Sequence, residues 1–308
     1  SNRSAPTMVA GANQVLSDQA DVSIAIRTVN QLNNLDDKQL QGLVKRSENI
    51  AVVAVFGDSV ERLLALDYPA KQTRFILHSD RRLLALSTNT KGQAYDTAIP
   101  EELLNGSEPL ASNADLAVQQ AAYPQYADWL QARSYWINRS AENAASLVEL
   151  LVSGNKSPVK EVSALRFALH GAEAAKPKWL NEKALKSTLD PQKAVVWLLD
   201  HNTGDLGDEW QLHQSFCGQI NAQCVSVLAA WGEPSVEAVK AMKSVMSSME
   251  KTPWAVVSVQ DFVIGGGDGR EAVDQLLASM NVPVLKGLRL TASAPPTSHG
   301  RPEGILLI

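Results

Sequence analysis

The sequence predicts an α/β protein whose C-terminal half carries a parallel, Rossmann-like or flavodoxin-like sheet. Three observations predict it. Short apolar runs recur after Pro191, at Val195–Leu199, Cys224–Leu228, Trp254–Val259 and Val282–Leu285. Amphipathic stretches of helical length separate them, at Asp208–Ile220, Pro234–Met249 and Arg270–Met280. Strands alternating with helices in this way are joined by crossovers and lie parallel. Pro234 suits the first turn of its helix, where a missing N–H costs nothing.

The first half predicts a second α/β unit with added helices. Residues 1–20 are polar and rich in small side chains, without a clear period, and read as a loose lead-in. A helix is expected over Asp36–Arg46. Ile50–Phe56 is a continuous apolar run ending at Gly57-Asp58, which suits a buried strand. Ser59–Leu66 is amphipathic at helical spacing. Arg74–Leu77 and Leu83–Leu86 read as two further strands around a polar turn. Thr88–Asn113 reads as loop, and Asp115–Leu151 as two or three helices interrupted near Pro124. Gly154–Pro158 ends that block, and Glu161–Ala175 is expected to be helical. The expected division is 1–49 as lead-in and first helix, 50–190 as an α/β plus helical domain, and 191–308 as the parallel α/β domain.

Bulk properties bound the function. The chain has 308 residues, 45% hydrophobic and 20% charged, an ordinary globular balance. A net charge of −5 gives the surface as a whole no pull toward nucleic acid or anionic lipid. No apolar run approaches the roughly 20 residues of a membrane-spanning helix. The start, Ser1-Asn2-Arg3, has no initiator Met and reads as a cut end, so export through a removed signal peptide stays open. Two cysteines, Cys217 and Cys224, exclude a disulfide-dense scaffold and a four-cysteine zinc site. They fall late in one predicted helix and at the start of the next strand. Two readings stand: a pair of small buried hydrophobes, or a bridge in an oxidising compartment.

Ligands of open parallel sheets bind beyond the carboxyl ends of the strands. Asp200, His201, Trp231 and Asp261 are expected at that edge. Gly265, Gly266 and Gly267, followed by Asp268-Gly269-Arg270, form a Gly-rich turn before the last helix. Such a turn lets backbone N–H groups approach an anion. It matches neither a dinucleotide fingerprint nor a P-loop, and Asp268 could itself cap the helix. A second candidate is His78-Ser79-Asp80-Arg81-Arg82, where Arg81 and Arg82 could fork onto a carboxylate or phosphate. The plainer and preferred reading is a charged turn with Asp80 pairing an arginine. His170, His201, His213 and His299 lack metal-ligand spacing, and His213 reads as structural. No nucleophile elbow and no nucleotide motif is present, which argues against an independent small enzyme.

Val256–Glu271, continuing through Leu276-Leu277 and Met280-Asn281-Val282-Pro283-Val284-Leu285-Lys286, resembles the N-terminal region of the large subunit of cobaltochelatase and of magnesium chelatase, the H subunit. In that family a strand, a glycine-containing loop and a helix precede a Leu-Asn-Val-Pro-Val-Leu type of strand, and Met280 stands here where Leu is expected. Ser298–Ile305 looks like the following loop, without the tryptophan often found there. The resemblance covers about Ala194–Ile305. It implies tetrapyrrole binding and insertion of cobalt or magnesium, with ATP hydrolysed on partner ATPase subunits. It also implies that 308 residues are an N-terminal fragment, inactive alone, and a cytoplasmic location. It transfers no catalytic or metal-binding residue to this chain. A different class, a two-lobed small-ligand-binding module of the periplasmic type, is the alternative.

Overall fold

The computed structural model describes residues 5–18, 22–77, 80–104, 112–138, 140–163, 165–170, 177–200, 208–219, 222–229, 233–251, 254–258, 267–281, 284–286 and 304–307. The protein is α/β and divides into two units. The first comprises Ser1–Val162 with Ser298–Ile308, and the second Ser163–Thr297.

The first unit opens with α1 (Ala5–Asp18), a helix where a loose lead-in was expected. Met8, Ala12 and Val15, spaced four and three apart, are buried and give it an inward face. The face is built largely of small residues, so its period is faint in the sequence. It leads to β1 (Ile24–Ile26), α2 (Val29–Asn33) and α3 (Asp37–Arg46). Asp36 caps α3 in a reciprocal box with Gln39, and Lys45 and Arg46 complement the dipole at its end. The apolar run becomes β2 (Asn49–Val53), followed by α4 (Ser59–Leu64) and β3 (Thr73–Leu77). Leu83 and Leu84, expected in a strand, lie in a helical turn, α5 (Arg81–Leu84). Asp80 caps that turn by accepting from the Arg82 N–H, and four apolar residues alone do not distinguish strand from helix.

After α6 (Glu101–Leu104), three helices follow: α7 (Asn113–Ala122), α8 (Ala127–Ile137) and α9 (Ala141–Ser153). The break between α7 and α8 holds Pro124 in a short 3-10 turn, as the sequence predicts. Gly154 ends α9 at φ 73°, a left-handed cap. Residues 155–162 form no regular element, so side-chain amides satisfy their backbone. Asn113 donates to the Val159 carbonyl and accepts its N–H, both at 2.8 Å. Asn143 bonds Lys160 in the same reciprocal way, and the Val162 N–H reaches Asn138 at 3.0 Å.

The second unit begins with β4 (Leu165–Leu169) and β5 (Trp179–Leu180), then α10 (Glu182–Thr188). Glu161–Ala175 was expected to be helical, but Leu165–Leu169 pairs residue for residue, antiparallel, with a later strand. That pairing moves the division from 190/191 to 162/163. The alternation then follows the sequence: β6 (Val195–Asp200), α11 (Asp208–Gly218), β7 (Gln223–Ala229), α12 (Glu233–Ser248), β8 (Ala255–Ser258), α13 (Gly267–Ala278) and β9 (Val284–Lys286). The sheet order is β5-β4-β7-β6-β8-β9. Its four parallel strands run in chain order second, first, third, fourth, which is the flavodoxin-like arrangement. β4 and β5 make the whole sheet mixed. Trp197, Leu199, Val225 and Val227 pack with α12 and α13 on one face. Val196, Leu198 and Cys224 pack with Phe216 and Cys217 of α11 on the other. Helices on both sides explain why β6 is buried at all six positions.

The chain then returns. β10 (Gly304–Leu307) joins the first unit between β1 and β2, giving a four-stranded parallel sheet of order β1-β10-β2-β3.

Candidate functional site

In the second unit, β6 and β8 are neighbours whose outgoing connections leave in opposite directions, α11 toward β7 and α13 toward β9. This switch point is where an open α/β sheet admits a ligand. Asp200 ends β6 there with its side chain fully buried. His201, Trp231, Asp261, Gly265 and Gly266, expected along the same edge, lie outside the described residues. Gly267 is the first residue of α13, so the helix begins three residues earlier than the sequence suggests. Arg270 is exposed on α13 and borders an open depression lined also by Glu271 and Asp274, carboxylates that disfavour an anion.

Behind this edge, on the face covered by α11, lies a polar chain that sequence reasoning did not assemble. His170, just beyond β4, places Nε2 2.7 Å from the Ser226 Oγ of β7. The same oxygen lies 2.7 Å from His213 Nδ1 of α11. His170 Nδ1 is 2.8 Å from Gln214 Oε1, and its ring stacks on Trp210 at 4.1 Å. An amide oxygen only accepts, so His170 carries its proton on Nδ1 and accepts from the Ser226 hydroxyl at Nε2. Ser226 in turn accepts from His213 Nδ1–H. Burial holds the His170 pKa down at about 4, so the ring is neutral near pH 7. A serine donating to a histidine is the hydrogen-bond pattern of an activated nucleophile. Ser226 is fully buried in mid-strand, however, and no substrate carbonyl reaches it. The chain is a buried structural network, which agrees with the reading of His213.

In the first unit the charged turn forms, and both guanidiniums of the alternative anion fork are already paired. Arg82 donates through Nε to Asp80 at 3.0 Å and also pairs with Glu61, while Arg81 pairs with Glu101. Hydrogen bonds from the Arg82 side chain and backbone hold the Asp80 carboxyl below the usual carboxylate range. The turn is therefore a set of exposed ion pairs, each worth little. His78 lies outside the described residues. Next to this turn, β2 leaves the sheet through Ala54 at φ 53°, a conformation costing a non-glycine residue about 1 kcal/mol or more.

A cavity of about 490 Å³ lies between α1, β1 and the start of α2. Its walls are apolar, with Val9, Leu16, Ile24 and Leu35, and its polar groups include Arg27 at the carboxyl end of β1. The size falls in the roughly 300–1,000 Å³ range of small-molecule sites. Arg27 spends one donor on the Ile26 carbonyl at 2.9 Å, and among the described residues no carboxylate pairs with it. Thr28 and Gln31 are occupied in the reciprocal cap of α2. Arg27 was missed because a single arginine after a three-residue strand carries no spacing signal.

Fold and cavity define the class as a two-unit α/β protein with a largely apolar groove in which Arg27 is the one cation among the described residues. Among the described residues no group of three His, Cys, Asp or Glu is placed to hold a metal ion, and no helix is long and apolar enough to cross a membrane. Comparison with family models, curated proteins and solved structures gives no match.

Proposed function

We propose that this chain is the tetrapyrrole-binding and assembly portion of a chelatase-like large subunit, without turnover of its own. The observation that carries the reading is the groove beside β1. An apolar wall with a guanidinium, Arg27, that no carboxylate pairs with among the described residues suits the edge of a flat apolar macrocycle bearing carboxylate side chains. The chelatase-like segment, Val256–Lys286, adds support, since it supplies β8, α13 and β9 of a flavodoxin-like sheet. In this reading cobalt or magnesium is substrate, ATP is hydrolysed on partner subunits, and the work is done in the cytoplasm.

Titrating the chain with a free-base porphyrin and with hydrogenobyrinate, following the Soret band and tryptophan fluorescence, tests the reading. Micromolar binding is expected, weakened about tenfold or more by Arg27→Ala, the loss of one charge-assisted contact. If neither compound binds at micromolar concentration, direct substrate binding is rejected and only an assembly role is left.

The second reading is a two-lobed small-ligand-binding module of the periplasmic type. It is favoured by two α/β units between which the chain passes twice, after Val162 and after Thr297. A thermal shift with small metabolites, together with silence toward tetrapyrroles, would select it.

A further inference from the structure

We propose that Cys217 and Cys224 form a disulfide that pins α11 to β7 when the protein folds under oxidising conditions. The register of the helix on the strand carries the inference. Trp210, His213 and Cys217 are spaced three and four apart, one face of a helix. Cys224, Ser226 and Leu228 alternate along β7, one face of a strand. Two rungs between these faces are in place: Trp210 packs in one cluster with Leu228, and His213 Nδ1 meets Ser226 Oγ at 2.7 Å. The helix of a crossover runs against its strands, so the next rung pairs Cys217 with Cys224. From first rung to third the helix advances about 10.5 Å and the strand recedes about 13 Å, a match within the reach of side chains.

The contacts agree with the register. Cys217 packs against the cluster of Val196, Leu198, Cys224 and Val257. Both are free thiols, Cys224 buried and Cys217 partly exposed.

The oxidant is a low-molecular-weight disulfide such as oxidised glutathione. The Cys217 thiolate attacks one of its sulfurs, the S–S bond breaks, and one glutathione thiolate leaves. The Cys224 thiolate then attacks Cys217 Sγ of the mixed disulfide and expels the second glutathione. The two protons of the cysteines end on the two glutathione thiols, so one protein disulfide forms as one glutathione disulfide is reduced. In the folded chain the neighbouring Cys224 thiol and burial push the Cys217 thiol up, which slows thiolate attack. Closure therefore belongs to folding, when both thiols are in water.

The full chain is refolded in a glutathione redox buffer and, in parallel, in reductant. The oxidised product is expected to show no free thiol under denaturing conditions and a Cys217–Cys224 peptide pair lighter by two hydrogens. It is expected to melt about 5 °C or more above the reduced form. Cys217→Ser is expected to keep one thiol and to melt alike in both buffers. Two free thiols, glutathione adducts on both cysteines, disulfide-linked dimers, or an oxidised form that melts no higher than the reduced one would each overturn the proposal. Comparing the two wild-type preparations keeps the test decisive even if the serine variant fails to fold.

Discussion

His170 contributes a pH response to the second unit. In the unfolded chain its imidazole titrates near 6.5, and in the folded protein burial lowers this to about 4. Between those values the unfolded state binds more protons, so this group makes stability rise with pH from about 4 to about 6.5 and stay level above. The two-and-a-half-unit gap sets a ceiling of roughly 3 kcal/mol, reduced by the ring's partial exposure. Protonation at Nε2 would also leave Ser226 facing two donors, with its own hydroxyl losing its acceptor. Urea melts at pH 4.5 and pH 7 should therefore diverge more for wild type than for His170→Gln. Equal divergence would remove His170 from the account. Nothing near His170 in the chain announces this. Its partners, Gln214 and Ser226, stand 44 and 56 residues away.

At the scale of elements, α1 and α9 meet through glycine. A methyl group on Gly11 would stand 2.5 Å from Ala144 Cβ and 2.5 Å from the Ala145 backbone N. Only a hydrogen fits, and α1 packs closely because of it. Gly11→Ala raises intrinsic helix propensity by up to about 1 kcal/mol, yet should destabilise the protein by about 1–3 kcal/mol as α1 is forced outward. Chemical denaturation measures the difference, and a stabilised variant would show that the two helices do not pack this tightly. The same contact explains why α1 was hidden: small residues that permit close approach leave little apolar contrast to read. β4 was hidden for another reason. Leu165, Phe167 and Leu169 alternate with Arg166 and Ala168 over only five residues, and their partner is β7, far along the chain.

For the whole molecule, the return of the chain matters most. Among the described residues β1 pairs with β10 alone, which also pairs with β2 through Leu307 and Ala51. Deleting residues 304–308 should strip β1 of its ladder bonds to β10. Amide exchange at Ile24–Ile26 is expected to speed up at least about tenfold, while β6 and β7 keep their protection. Unchanged exchange in β1 would mean that α1 alone holds it. A strand that closes a sheet almost 300 residues after that sheet begins has no local signature.

The sequence by itself determined the α/β class and the strands and helices from Val195 onward. Their burial on both faces writes continuous apolar runs, separated by helices with their own period. It also ended α9 at Gly154 and began α3 at Asp36, where single residues decide a terminus. The tertiary structure alone decided the antiparallel edge of the second sheet and the division at Val162. It also decided the place of β10, the pairing of Arg81 with Glu101 and of Arg82 with Glu61, and the meeting of His170, Ser226 and His213. Each depends on groups distant in the chain, and local propensity carries no term for a partner that folding has yet to bring near.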